Sequence, residues 1–308
     1  MVNPLDDGDL HEANRIFRLG FGSVLADPGL PNDRDCIFSR QHSPHVAAFG
    51  AKLDGRLVGS NFVTNWGSVG FVGPLTVHPD LHERGIGRAL LDKAMAQFDV
   101  WNTRHIGLFT FAHSAKHIAL YQKYGFFARF LTAIMSAPAV PRQNEVQWSP
   151  FSNLYEIQQA EALRSCRVLT DALYSGLDLT EEIRATYAQR LGDTVLVDDA
   201  GRGVVAFAVC HYGPHSEAGS GRCFIKFGAV LGGPSSKRDY LRLLDGCEAL
   251  AVSVGTPRLL AGANMARHEA YLQLVARGFR TELQGVAMHR HNDPGYCRPD
   301  AYVMDDWR

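Results

Sequence analysis

Residues 71–91, FVGPLTVHPDLHERGIGRALL, constrain the fold of this 308-residue chain more tightly than any other stretch. Residues 71–77 form a β-like run that ends at His78-Pro79. Pro79 can neither donate into a ladder nor continue a helix, so the chain must turn there. From Gly85 onward Ile86, Leu90, Leu91, Ala94 and Phe98 fall on one helical face, and a second strand-like run follows at 106–112. This is strand, helix, strand, with glycines at the helix entrance. Such an entrance is an anion site, because the first N–H groups of a helix are free and the dipole is positive there. Gly85 and Gly87 let the backbone approach a ligand closely, and Arg84 and Arg88 supply charge for phosphate oxygens. Two rival readings lack their residues: there is no G-x-x-x-x-G-K-[ST] loop, and no third glycine with a downstream acid in a βαβ unit.

The flanking sequence extends the α/β pattern. Leu10, Ala13, Ile16, Phe17 and Phe21 predict a first helix, and the polar stretch 29–43, broken by Pro31, predicts a loop or lid. Two β-like runs over 46–66 meet at Asp54-Gly55, a hairpin dipeptide. Ser114 opens a helical stretch that Gly125 closes, with Phe126 starting the next extended segment. The segment 137–150, APAVPRQNEVQWSP, is proline-rich and aperiodic, as an interdomain linker would be. Beyond it, helices over 153–190, a hairpin over 194–209 and a strand–helix–strand–helix series to Gly278-Phe279 repeat the earlier order, so the halves read as diverged copies of one unit. At about twice the length of a typical domain, the chain has room for both. The expected division is 1–138, a linker at 139–150, and 151–308. The ending, GYCRPDAYVMDDWR, reads as a surface tail strand.

His82-Glu83-Arg84-Gly85-Ile86-Gly87 resembles the Q/R-x-x-G-x-G/A loop of the GNAT (GCN5-related) acetyltransferases, with His82 in place of the first Gln or Arg. The hairpin before it and AHSAKHIALYQKYGF after it are also similar to that family, over about residues 5–135. The resemblance implies two tandem GNAT-like domains, each a mixed, mostly antiparallel sheet flanked by helices. It also implies acetyl-CoA as cosubstrate. Its pyrophosphate would lie on Arg84, Gly85, Ile86, Gly87 and Arg88, and its pantetheine arm along Leu75, Thr76 and Val77. Ser114 stands where many members have an Asn that meets pantetheine. Tyr121, shortly before Gly125-Phe126, would be the general acid that protonates the departing thiolate. An amine of a small molecule or peptide would attack directly in a ternary complex. No carboxylate occurs in 71–77; His78 and His113 flank the cleft in this reading and either could act directly or through water, and His113 is taken as the candidate base. The alternative reading is a CoA-binding regulatory or scaffold protein without turnover.

Other constellations carry less. His113 and His117 are four apart but lack the Glu of H-E-x-x-H, so no metal is expected, and no G-x-S-x-G elbow anchors a hydrolase triad. The aromatics Phe62, Trp66, Phe71, Phe109 and Phe111 alternate along predicted strands as core residues do, some serving an acceptor pocket. In the second half, GGPSSKRDY replaces the phosphate loop, which predicts a degenerate C-terminal domain that buttresses the acceptor site. A formal net charge of -1 gives no electrostatic case for nucleic acid or an anionic membrane. Six scattered cysteines without a C-x-x-C pair, and an acidic, interrupted opening, predict reduced thiols in a cytoplasm. No apolar run is long enough to span a bilayer, and a homodimer is left open.

Overall fold

The computed structural model describes residues 1–25, 33–140 and 147–305. The lid expected over 29–43 and the linker over 139–150 therefore lie partly outside the described residues. The first half runs β1 (Val2–Pro4), α1 (Leu10–Leu25), α2 (Phe38–Gln41), β2 (Val46–Leu53), β3 (Arg56–Trp66), β4 (Val69–Val77), α3 (Ile86–Val100), β5 (His105–Thr110), α4 (Ala115–Gln122) and β6 (Phe126–Pro138). The second half runs β7 (Ser149–Pro150), α5 (Glu156–Leu173), α6 (Thr180–Ala188), β8 (Gly192–Asp199), β9 (Gly203–Gly213), β10 (Gly219–Val230), α7 (Ser236–Ser253), β11 (Arg258–Asn264), α8 (His268–Ala276), β12 (Arg280–Arg290) and β13 (Val303–Met304). Both predicted hairpins form. Asp54 and Gly55 both take positive φ, 48° and 77°, which a two-residue turn needs if it is to match the twist of β2 and β3.

The described strands make one mostly antiparallel sheet in the order β1-β2-β3-β4-β5-β12-β6-β11-β10-β9-β8-β7, with β13 pairing β10 off this path. Only β4–β5 and β10–β11 pair in parallel. The halves exchange strands at the centre. β12 lies between β5 and β6, pairing Val286↔Thr110 on one side and Val286↔Leu131 on the other, and β6 pairs β11 along Thr132 to Pro138.

Helices cover both faces, as a sheet apolar on two sides requires. In the first half, Leu90, Leu91, Ala94 and Phe98 of α3 pack with Val63, Val72 and Leu108, while Leu10, Ala13 and Ile16 of α1 pack on Phe62 across the sheet. In the second half, Leu243, Leu244 and Cys247 of α7 cover one face and Leu163, Leu169 and Ile183 of α5 and α6 the other. Trp66 and Val69, from β3 and β4, belong to the α5–α6 core. Each fully buried side chain of this size contributes about 1.5–3 kcal/mol, so the join between halves is held by core packing as well as by the sheet.

The C-terminal segment departs from expectation. Val303 and Met304 are 0% exposed and lie in the two cores of the second half. Val303–Met304 is therefore a buried strand paired with β10 rather than a surface strand.

Candidate active site

The cleft originates where two strands part. β4 pairs with β5 only from Val69↔His105 to Val72↔Leu108, yet β4 continues to Val77 and β5 to Thr110. On its other edge the register against β3 shifts between Asn61↔Leu75 and Val63↔Val72, a bulge that bends the strand at this point. From Gly73 onward the β5-facing edge of β4 is thus released, and a cleft of about 930 Å³ opens beside it. Leu75, Thr76 and Val77 line one wall, and Leu120 and Tyr121 of α4 line another. The deep end is formed by Phe17 and Phe21 of α1, Phe109 and Phe111, Cys36 and Arg40. Of the aromatics assigned to core in the sequence, Phe62 and Trp66 are fully buried, whereas Phe109 and Phe111 face this cleft.

The start of α3 forms the mouth. Gly85 adopts the left-handed conformation at φ 78°, and the first helical bond runs from Ala89 N–H to Gly85 O at 3.0 Å. The amides of Ile86, Gly87 and Arg88 therefore precede the helical ladder and are available to an anion. Gly85, Ile86, Gly87 and Arg88 all line the cleft, while Arg84 is exposed just outside its wall. His82, the departure from the Q/R-x-x-G-x-G/A pattern, donates from Nε2 to the Val77 carbonyl at 3.2 Å and so ties the loop to the end of β4. Across the mouth Lys116 Nζ pairs with Glu83 at 3.2 Å. Sequence reasoning missed Tyr124, whose hydroxyl donates to Asp92 Oδ1 at 2.7 Å and stands 2.9 Å from Arg88 O, fixing α4 against α3. Its only sequence signal was its place beside Gly125.

Tyr121 is buried on the cleft wall with its ring against Phe126 at 6.2 Å. Burial pushes its phenol up from the ordinary value, so it holds its proton at any physiological pH. Ser114 and His113 are placed differently. Ser114 Oγ is hydrogen-bonded to His117 Nδ1 at 2.9 Å, and it is His117 that lines the cleft. Burial, followed by the nearby Lys116, His82 and His113, lowers the His117 pKa. His113 is exposed, with its ring 5.7 Å from that of Phe111, and does not line the cleft. Among the described lining residues the only carboxylate is Glu83, at the mouth.

Residues 10–126 match the acetyltransferase (GNAT) family model. This match spans residues 10–126 of the 308 and makes the first half of the chain similar to the GNAT acetyltransferases. No curated protein matches it in sequence. Solved structures share its fold across nearly its whole length. A putative acetyltransferase from Pyrococcus horikoshii is 13% identical with a TM-score of 0.70, covering 99% of this chain and 94% of its own. A tandem GNAT protein from the clavulanic acid biosynthesis pathway is 15% identical with a TM-score of 0.59, covering 94% and 97%. A GCN5-related N-acetyltransferase from Sphaerobacter thermophilus is 14% identical with a TM-score of 0.55, covering 96% of each. Identities this low establish the tandem GNAT fold and leave activity to the site.

The second GNAT-like half repeats the parting of strands and then closes it. β10 pairs with β11 from Arg222↔Arg258 to Ile225↔Ala261 and runs on to Val230, as β4 runs past β5. β13 pairs with the released edge at Gly228↔Met304 and Ala229↔Val303, the positions that correspond to Leu75 and Thr76. Arg267 locks the insert: Nη1 bonds Asp305 at 2.5 Å and Val303 O at 3.2 Å, and the guanidinium lies 5.0 Å from the centre of the Tyr296 ring. Leu274 stands before Gly278 where Tyr121 stands before Gly125. The described residues contain no group of three or more His, Cys, Asp or Glu that could hold a metal ion, and the six cysteines are buried and unbridged. No described helix is long and apolar enough to cross a membrane.

Proposed function

We propose that this chain is an N-acetyltransferase that moves an acetyl group from acetyl-CoA to an amine in a ternary complex formed in the first half. The supporting observation is that the bare edge of β4, the glycine-opened start of α3 and the buried Tyr121 all line one cleft. The residues fit the cosubstrate. A Cβ built on Gly87 would meet only Leu120 and Val77, each at 3.8 Å, and one on Gly85 would meet nothing within 4 Å, so the approach to the helix amides is open. The amides of Ile86, Gly87 and Arg88 hold the diphosphate, with Arg84 and Arg88 settling on its oxygens. Backbone groups of Leu75, Thr76 and Val77 hydrogen-bond the pantetheine arm, and an N–H of that edge polarises the thioester carbonyl.

Acetyl-CoA supplies the activated acyl group. As the amine forms its C–N bond and the C–S bond breaks, Tyr121 gives its proton to the departing sulfur and recovers one from solvent. With Glu83 remote at the mouth and His113 outside the cleft wall, the proton shed by the amine leaves to water. The acceptor lies toward the deep end, between α1 and the rings of Phe109 and Phe111.

The test is incubation with acetyl-CoA and a panel of small amines and peptides, scoring thiol release together with the mass of the acetylated product. Acceptor-dependent release supports transfer. Binding of acetyl-CoA without release on any acceptor returns the chain to the non-catalytic CoA-binding reading.

A further inference from the structure

The second half reaches the cleft through a buried charge network. Arg40, on α2, is only 6% exposed and lines the deep end. Its guanidinium chelates Glu217, Nε to Oε1 at 3.0 Å and Nη2 to Oε2 at 3.1 Å, while Nη1 donates to Gly73 O at 2.7 Å. Glu217 also accepts from Lys226 Nζ at 2.9 Å, and Lys226 lies 2.8 Å from Glu182. Glu182 in turn takes Trp66 Nε1 at 3.1 Å and His45 Nε2 at 2.9 Å. The two acids and Lys226 come from the second half, whereas Arg40, Trp66 and His45 come from the first. Burial pushes the Glu217 carboxyl up, but the Arg40 guanidinium and the Lys226 ammonium outweigh it and hold it well below the usual carboxylate range, so it stays ionised.

Gly73 is where β4 leaves β5. The last parallel pair is Val72↔Leu108, so the Gly73 carbonyl has no strand partner on that side, and Arg40 supplies the donor instead. The segment leading into α2 is docked on the turn that carries Glu217: Asp35 N–H donates to Ser216 O and His215 N–H to Asp33 O, both at 2.9 Å. Asp35 then caps α2 by accepting from the amides of Ile37 and Phe38, each at 2.9 Å.

We propose that Glu217 is a positioning residue for the first half's active site: it fixes Arg40, which holds the Gly73 carbonyl and thereby sets the edge from Gly73 to Val77 along which the pantetheine arm and thioester lie. The C-terminal half thus completes the N-terminal site from behind, touching no reacting atom. This rests on the acetyl-CoA reading above, and two ligands separate the two ideas. ADP uses only the diphosphate site at α3, whereas acetyl-CoA also needs the β4 edge.

The experiment is calorimetry of acetyl-CoA and of ADP against the full chain. The variants are Glu217→Gln paired with Lys226→Met, which removes one buried charge of each sign, and Arg40→Lys, which keeps the charge but cannot chelate Glu217 and reach Gly73 together. In variants whose melting curves show a folded protein, acetyl-CoA affinity should fall about tenfold or more for the loss of one charge-assisted hydrogen bond, with ADP affinity unchanged. Unchanged affinity for both ligands would overturn the proposal and leave the network purely structural. Equal loss of both would overturn it as well, since the effect would not be confined to the β4 edge. If the wild-type chain binds ADP but gains nothing from the acyl-pantetheine arm, the reading of the cleft itself fails.

Discussion

Burial at Tyr121 bears on the acid role proposed for it. A phenol whose ionised form is disfavoured by burial is a poor base and keeps its proton for donation. Tyr121→Phe should therefore lower kcat by about 10²–10³ while leaving the KM for acetyl-CoA near its wild-type value, since the ring still fills the wall. Steady-state kinetics on both substrates checks this. Because the phenol is raised, no loss of rate assignable to Tyr121 should appear below about pH 10, its unperturbed value. The places of Tyr121, Gly85 and Gly87 were legible in the sequence because their signals are local: a glycine-opened helix start and a tyrosine shortly before Gly-Phe. The role of His82 was not, since it resides in a single bond to the Val77 carbonyl. Arg40 and Glu217 were further out of reach, being 177 positions apart with no pattern linking them.

Among the elements, those with a period announced themselves. α3 and the β2–β3 hairpin stand close to where the apolar spacing and Asp54-Gly55 put them. β13 could not, because a strand of two residues has no periodicity and its meaning lies in its partner. Its burial makes it a test of how the second half stays closed. Asp305→Ala would leave Arg267 buried without its carboxylate, at a cost of about 3–5 kcal/mol. Chemical denaturation should show this as a lower midpoint, whereas a change within experimental error would mean that β13 holds its place without the Arg267–Asp305 pair. The insertion of β12 between β5 and β6 was equally hidden, for antiparallel partners so distant in sequence share no local signal.

The molecule as a whole is two diverged copies of one unit, sharing a sheet and a buried charge network. That network carries a pH dependence. His211 is buried beside Lys226; burial first, then that ammonium, depresses its pKa to about 3, against an unfolded value near 6.5. A depressed folded value means that the stability is fully present above the unfolded pKa and is lost as pH falls toward the folded one. Between about pH 6.5 and 3, stability should therefore decline by up to about 1.4 kcal/mol per pH unit from this group, and His211→Gln should flatten the decline in a pH series of denaturant melts. The asymmetry of the copies is the larger consequence: one released strand edge faces a cleft, and the other is covered by the chain's own β13. The most direct test is a calorimetric titration of acetyl-CoA into the whole protein and into Gly87→Asp, which sets a carboxylate where the diphosphate should lie. One acetyl-CoA per chain, abolished by the substitution, is the predicted result. Binding undisturbed by the substitution, or two molecules per chain, would contradict it.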